Sequence, residues 1–358
     1  MYNYIGDIMY RNTYAEINLK NIKYNVQKII NKYKNYKYYI GVVKADSYGH
    51  NTEKVVKSII DGGCNYLAVS SLDEALEVRK YFDIPILCLG IIHEKYLDIC
   101  IKNNIDITVT NLDYLKQIKE CKLNIHIKVD TGMNRLGVKD KEEFNLIIKE
   151  IENSNLNLKG LFTHIYEASN KDIVEKQINK FKYIIGDIDL NKIDIIHISQ
   201  SDTLVNYPKI DICNGCRLGI IMYGLNNSNL DLKNTISLCS EVIEIKKLKR
   251  GDVVSYNGTY KAKEDELIGI ISIGYADGVN RKLKGSYVYI NNNKYEIVGN
   301  ICMDMLMVKI DDKVKLYDKV YIYKDIEHIK YLSKYLDTIP YELICGVSKR
   351  VDRIYIEK

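Results

Sequence analysis

Eight times between about residue 20 and residue 218, a short run rich in β-branched and aromatic residues gives way to a stretch with helical spacing. This alternation constrains the fold most, because βα units make strands parallel and a parallel sheet must be covered on both faces. The strand candidates are Tyr38–Val43, Tyr66–Val69, Ile84–Leu89, Ile105–Val109, Ile125–Val129, Leu158–Thr163, Ile193–Ile198 and Ile210–Cys213. Between them, Val174, Ile178, Phe181 and Ile185 form a helical stripe, and Ser71 with Glu74 reads as a capping box. An open doubly wound sheet also produces such alternation, but eight units in about 200 residues favour a closed (β/α)8 barrel of the TIM type.

Past about Leu238 the chain changes to strands separated by Gly, Asp and Asn turns, as in Lys249-Arg250-Gly251-Asp252 and Asn291-Asn292-Asn293. This predicts a mainly antiparallel β domain with a late helix near His328–Tyr335. The expected division is a barrel over residues 12–238, with residues 239–358 as the β domain and residues 1–11 joining it.

Composition removes several function classes. No apolar run approaches the ~18 residues of a membrane span, so no membrane segment is expected. Met1-Tyr2-Asn3-Tyr4-Ile5-Gly6-Asp7 has neither a basic nor a long apolar region, which argues for a cytoplasmic protein without a secretory signal. The nine cysteines are an odd number in apolar contexts, as expected of reduced thiols. The pair Cys213 and Cys216 has CxxC spacing but no second pair or spaced histidines, so no metal site is expected. A net charge of +5 arises from 52 basic and 47 acidic residues spread along the chain, without a basic stripe for nucleic acid.

Chemistry-bearing residues collect at predicted strand ends. Lys44 follows the first strand, Lys128 to Arg135 follow the fifth, and His164 follows the sixth. Ser199-Gln200-Ser201 comes after the seventh and Arg217-Leu218-Gly219-Ile220 after the eighth. In a βα-barrel all of these open onto the C-terminal rim, where the last two loops commonly hold phosphate on backbone N–H groups. A strand-end lysine able to form a Schiff base, beside a phosphate nest of Ser201, Gly219 and Ile220, suggests pyridoxal phosphate. Each segment alone is weak, since glycines usually serve turns and single histidines are usually structural.

Several segments carry a more specific signal. They are Val43-Lys44-Ala45-Asp46-Ser47-Tyr48-Gly49-His50, Asp130-Thr131-Gly132-Met133-Asn134-Arg135-Leu136-Gly137 and Arg217-Leu218-Gly219-Ile220-Ile221-Met222-Tyr223-Gly224-Leu225. Val254-Ser255-Tyr256, Gly274-Tyr275-Ala276-Asp277-Gly278, Cys302-Met303-Asp304 and Arg350-Val351-Asp352-Arg353 follow in the second part. With these, from about Thr13 to Tyr355, the chain resembles the pyridoxal-phosphate-dependent alanine racemase family.

The resemblance implies that Lys44 carries pyridoxal 5'-phosphate as a Schiff base and, once displaced, is the base for the D-enantiomer. Tyr256 is then the base for the L-enantiomer, since inverting a stereocentre takes a proton from one face and returns it to the other. It further implies that His164 bonds this tyrosine and contacts Arg217, which faces the pyridine nitrogen and limits transamination. Tyr48, Ser201, Gly219 and Ile220 hold the phosphate, and Arg135 and the Met303 backbone hold the substrate carboxylate. Lys128 resembles a lysine that orients the arginine and is carbamylated in some members. Tyr256, Tyr275, Met303 and Asp304 come from the partner subunit, so the active unit is a head-to-tail homodimer. The product is D-alanine for peptidoglycan.

The chain departs from the family at Lys349, where most members carry a tyrosine that narrows the substrate space, and at Ser169 and Asn300, which stand for an acidic and a basic residue of the access corridor. A serine or broader amino-acid racemase therefore stays open beside alanine. More distant alternatives are a basic amino-acid decarboxylase and a non-catalytic pyridoxal-phosphate carrier.

Overall fold

The computed structural model describes residues 10–356 apart from Asp187 and Asn227; residues 1–9, including the stretch read for a secretory signal, lie outside the described residues. After a strand Tyr14–Asn18 (β1), eight strands form a closed barrel: Tyr38–Val42 (β2), Tyr66–Val69 (β3), Ile86–Cys88 (β4), Ile105–Val109 (β5), Asn124–Lys128 (β6), Asn157–Phe162 (β7), Ile195–His197 (β8) and Gly215–Leu218 (β9). Each pairs in parallel with the next, and β9 returns to β2 with Tyr38 opposite Gly215 and Gly41 opposite Leu218. The first seven barrel strands lie within a few residues of their expected places; β3 is a continuous apolar run buried throughout, whereas β7 begins exposed at Asn157.

The last strand is a correction. Ile210–Cys213 was expected to be it, but those residues form a turn in which the Asp211 carboxylate accepts from the Ile212 N–H. The strand is Gly215-Cys216-Arg217-Leu218, whose leading glycine hides it from a propensity reading. A Cβ at Gly215 would press on Ile195 at 3.0 Å and on His197 at 3.3 Å, so the missing side chain is what lets β9 close on β8. Arg217 therefore lies within the strand rather than after it.

Helices cover the strands through polar caps. Asn111, Asp140 and Asn170 accept first-turn N–H groups of Leu112–Ile118, Lys141–Glu152 and Lys171–Ile185. In the last of these the stripe of Val174, Phe181 and Ile185 is buried, and Gln177 is buried with it.

The barrel unit spans Asn21–Lys233, and a second unit takes the chain on either side, up to Lys20 and from Asn234. These divisions differ from the expected 12 and 238 because β1 and Ile236–Leu248 (β10) are paired strands of one sheet. The second unit continues with Val253–Val254 (β11), Tyr260–Lys261 (β12), Glu266–Ile271 (β13), Tyr287–Ile290 (β14), Asn293–Val298 (β15), Leu306–Ile310 (β16), Lys319–Tyr323 (β17) and Asp352–Ile356 (β18). Its sheet runs β13-β16-β15-β14-β17-β10-β1-β18, antiparallel except for β1 with β18. The 13-residue β10 also pairs with β13 beyond a bulge at Val242 to Glu244, so the pairing turns back on itself. The late helix is Ile326–Tyr335, and a short helix Pro340–Cys345 follows it unforeseen.

Candidate active site

Lys44 stands just past β2, and the chain does something unusual directly after it. Ala45, Asp46, Ser47 and Tyr48 all have φ between 51° and 56°, one left-handed turn built from residues that all carry a Cβ. Such backbone costs roughly 1–2 kcal/mol per residue, so its surroundings must hold it. Glu74 does so from the helix Leu72–Arg79: one carboxylate oxygen accepts the Ala45 N–H at 2.7 Å, and the other accepts the Ser70 N–H at 2.7 Å and the Ser70 hydroxyl at 2.8 Å. Asp46 accepts the Thr52 N–H at 2.9 Å. The expected capping box is thus half present, since Ser71 accepts from the Glu74 N–H at 3.4 Å while the Glu74 side chain serves Ser70 and the Lys44 loop.

The turn brings Tyr48 to a small cradle. Its phenol oxygen and Ser201 Oγ lie 3.1 and 3.4 Å from where a Cβ on Gly219 would stand, and Ser201 Oγ accepts the Gly219 N–H at 3.1 Å. Ser201 opens the helix Ser201–Asn206 after β8, and Ile220 opens the turn Ile220–Tyr223 after β9. Two hydroxyls thus converge on the backbone at Gly219, where a Cβ would crowd them.

Arg217 is buried, and the four hydrogen bonds of its guanidinium among the described residues all go to neutral acceptors. One nitrogen reaches His197 Nδ1 and His197 O, each at 2.6 Å; the other reaches Thr163 O at 2.7 Å and Ile198 O at 3.0 Å. The histidine that Arg217 bonds is His197, and the charge of Arg217 also acts on His164. Phe162 stacks on His197 with ring centres 4.7 Å apart, and the guanidinium and Lys128 lie on that phenyl group.

Burial and then the charges of Arg217, Arg135, Lys128 and Lys44 push the His164 imidazole down to about 3. Burial, with Arg135 and Arg217, likewise lowers Lys128 to about 8, although Asp130 opposes the shift. The loop to Arg135 is pinned by Asp130, which accepts the N–H groups of Gly132 at 2.9 Å and Asn134 at 3.0 Å. Gln177 joins that loop to the next, donating to Thr131 Oγ1 at 2.7 Å and His164 O at 3.2 Å while accepting the Tyr166 N–H. The barrel unit thus gathers Lys44, Tyr48, Lys128, Arg135, His164, Ser201, Arg217, Gly219 and Ile220. Sequence reasoning missed His197, Gln177 and Glu74; for Gln177 the signal was a polar residue within an apolar stripe.

Tyr256, Tyr275, Met303 and Lys349 belong to the other unit. Tyr275 N–H donates to Cys302 O and Ala276 N–H to Met303 O, each at 3.0 Å, and a Cβ at Gly274 would collide with both carbonyls. Asp277, fully buried, pairs with Arg11 at 2.6 Å and Arg350 at 3.0 Å, and Arg350 also pairs with Asp304 at 2.9 Å. Three separate sequence motifs therefore interlock to present Tyr275, 43% exposed, and Met303, 52% exposed. Tyr256 is 69% exposed; its carbonyl accepts from Asn300 Nδ2 at 2.9 Å, and the neighbouring Ser255 hydroxyl donates to Asn300 O at 2.6 Å. Ser169 and Lys349 are exposed.

A closed parallel barrel followed by a mainly antiparallel β unit is the two-part architecture that the comparisons match. Residues 17–227 match the family model described as alanine racemase, N-terminal domain, and residues 235–355 match alanine racemase, C-terminal domain. The alanine racemase of Staphylococcus saprophyticus is 36% identical over 98% of this chain and 96% of its own length. The solved alanine racemase of Clostridium difficile 630 superposes with a TM-score of 0.92 at 34% identity, covering 98% of this chain and 97% of that one. A Bacillus anthracis alanine racemase with bound L-Ala-P gives 0.90 at 31% identity, with coverages of 98% and 97%. The chain belongs to the alanine racemase family.

Proposed function

We propose that the protein interconverts L- and D-alanine using pyridoxal 5'-phosphate, as the alanine racemases it resembles are named to do. The observation that carries this reading is the convergence of strand-end Lys44, the Tyr48, Ser201 and Gly219 cradle, and a buried guanidinium bonded only to neutral acceptors. These residues fit the cofactor: the cradle suits a phosphate, with the Ile220 N–H beside it, and Arg217 suits a ring nitrogen kept unprotonated. When bound, the cofactor draws electrons from the substrate Cα and makes its hydrogen removable. The chain's own groups do the rest. Lys44 Nζ moves a proton on one face and Tyr256 Oη of the partner subunit on the other, with His164, neutral at physiological pH, free to share a hydrogen bond with that phenol.

Arg135 and the Met303 backbone hold the substrate carboxylate, with Tyr275 alongside, and Lys128 orients Arg135. A Lys128 ammonium lowered to about 8 is partly neutral near that pH, which supports reaction of its amine with CO2 to give a carbamate. The exposure of Tyr256, Tyr275 and Met303 supports a homodimer in which they are covered. Cys64, Cys88, Cys100, Cys213, Cys216 and Cys239 are buried thiols, which supports a reducing, cytoplasmic setting, and no helix of the described residues is long and apolar enough to cross a membrane. The product would serve peptidoglycan synthesis.

Exposed Lys349 favours a second reading, serine or broader racemisation, because it lacks the phenol that narrows the substrate space. A chiral assay of the cofactor-loaded protein with L-alanine and L-serine decides between them. Fast D-alanine formation with little D-serine is expected; preferential D-serine formation would install the second reading, and inversion of neither would overturn both.

A further inference from the structure

The barrel interior of this chain is polar where such barrels are normally filled with branched apolar side chains. Five residues from β3, β5, β6, β8 and β9 make one hydrogen-bonded line across it. Arg217 donates to His197 Nδ1 at 2.6 Å; His197 Nε2 meets His126 Nδ1 at 3.3 Å; His126 Nε2 meets Tyr66 Oη at 3.4 Å; and Tyr66 donates to the Asp106 carboxylate. Contacts between non-adjacent strands pass through the lumen. Both imidazoles are wholly buried, and Gly160 leaves room for His126, since a Cβ there would strike the ring.

The line has a direction. A guanidinium only donates and an ionised carboxylate only accepts, while each group between them does one of each. His197 must therefore carry its proton on Nε2, His126 on Nε2 and Tyr66 toward Asp106. Both imidazoles are neutral, His126 being lowered to about 4 by burial, so no second ring proton disturbs the order. Asp106 is the second residue of β5 and Tyr66 the first of β3, whereas His197 ends β8 and Arg217 is third in β9. The line climbs from the N-terminal mouth of the parallel barrel toward its catalytic rim. At its foot Lys159 donates to Asp106 at 2.8 Å and Asn124 at 2.9 Å, leaving the carboxylate no donor role.

We propose that Asp106 is a positioning residue for Arg217, fixing the tautomers of His126 and His197 from the opposite end of the barrel so that the guanidinium keeps its acceptor and its aim at the cofactor ring nitrogen. This rests on the proposed reading of Arg217 as the partner of that nitrogen. The oxygen of Asp106 that accepts from Tyr66 also accepts from Lys159, so only removal of the carboxylate unseats the line: with alanine at position 106 Tyr66 is free to donate to His126 Nε2, His197 acquires a proton on Nδ1, and Arg217 then faces a donor. A displaced guanidinium controls the ring nitrogen less well. The abortive half-reaction then grows, in which the alanine nitrogen replaces that of Lys44 on the cofactor and stays there, while one water supplies the keto oxygen of the pyruvate released.

The test uses full-length protein labelled with 15N at its six histidines. In the wild type, ring nitrogen shifts should show the Nε2–H tautomer at His126 and His197, with or without cofactor. Asp106→Ala should populate Nδ1–H at His197 and raise pyruvate formed per racemisation on the order of tenfold, with KM for alanine changed less than about twofold. Tyr66→Phe, which removes one oxygen, should act in the same direction if the alanine variant does not fold. An Nδ1–H tautomer at His197 in the wild type, or wild-type tautomers in a folded variant, would overturn the proposal. A colourless wild-type protein that inverts no amino acid would instead sink the functional reading, while the cofactor-free tautomers still judge the relay.

Discussion

At the level of single residues the site divides by how its parts announce themselves. Lys44, Ser201 and Gly219 were legible because strand ends, hydroxyls and glycines fall where a barrel needs them. Tyr256 was legible only through the resemblance, being one of 31 tyrosines. His197 was not legible at all, since Ile195-Ile196-His197-Ile198 reads as an ordinary buried strand until Arg217 is seen beside it. Lys44→Ala should abolish the near-visible absorbance of the loaded protein and its activity, and Tyr256→Phe should keep the colour while kcat falls about 10²–10⁴-fold. A coloured, fully active Lys44→Ala protein would end this account. Gly219→Ala places a methyl 3.1 Å from the Tyr48 hydroxyl. It should weaken cofactor binding at least about tenfold, by titration of absorbance, with the melting temperature nearly unchanged.

Among the elements, the left-handed turn after Lys44 is tied at the Ala45 N–H to Glu74, whose other oxygen takes two hydrogen bonds from Ser70. Glu74→Ala leaves those donors without their acceptor and should cost about 1–3 kcal/mol in chemical unfolding, with slower formation of the coloured adduct on adding cofactor. Seven barrel strands and the change to antiparallel pairing could be read from apolar runs and turn residues. β9 could not, because its leading glycine answers to the packing of Ile195 and His197 rather than to propensity. The polar lumen escaped for a similar reason, as alternate residues of a buried parallel strand carry no pattern that says which face looks inward.

That lumen has a pH signature. His126 is lowered to about 4, His164 to about 3 and His197 well below its ordinary value, so the fold refuses protons that the unfolded chain accepts. Depressed values stabilise the folded form above the unfolded value near 6.5, and this contribution is lost as the pH falls from there toward about 4. Calorimetry across that window should show the melting temperature falling, with an added slope approaching about 4 kcal/mol per pH unit from these three histidines, to which His328, also lowered to about 4 by burial, adds in the same direction. A flat profile would contradict the neutral imidazoles.

For the whole molecule the proposal of shared sites makes a sharp demand on mixtures. Lys44→Ala and Tyr256→Phe proteins, each inactive, should regain about a quarter of wild-type activity when their subunits are exchanged, because half the dimers are mixed and each mixed dimer has one intact site of two. No recovery after proven exchange would mean that each chain supplies its own second base. Some of this organisation was visible in the sequence as two compositional halves. What was not visible is that β1 belongs with the later half, because its partners are set by long-range pairing. Tyr14 lies opposite Cys239 on one side and Asp352 on the other. On the ribosome, at ~5–20 residues per second, the roughly 340 residues between β1 and β18 take roughly 20–70 s to make. The barrel strands are all synthesised in the meantime, so β1 waits with an open flank while its neighbours on the chain are complete. Birth on the ribosome and refolding from denaturant should therefore visit different intermediates, and only the nascent chain has to keep that strand from the wrong partner.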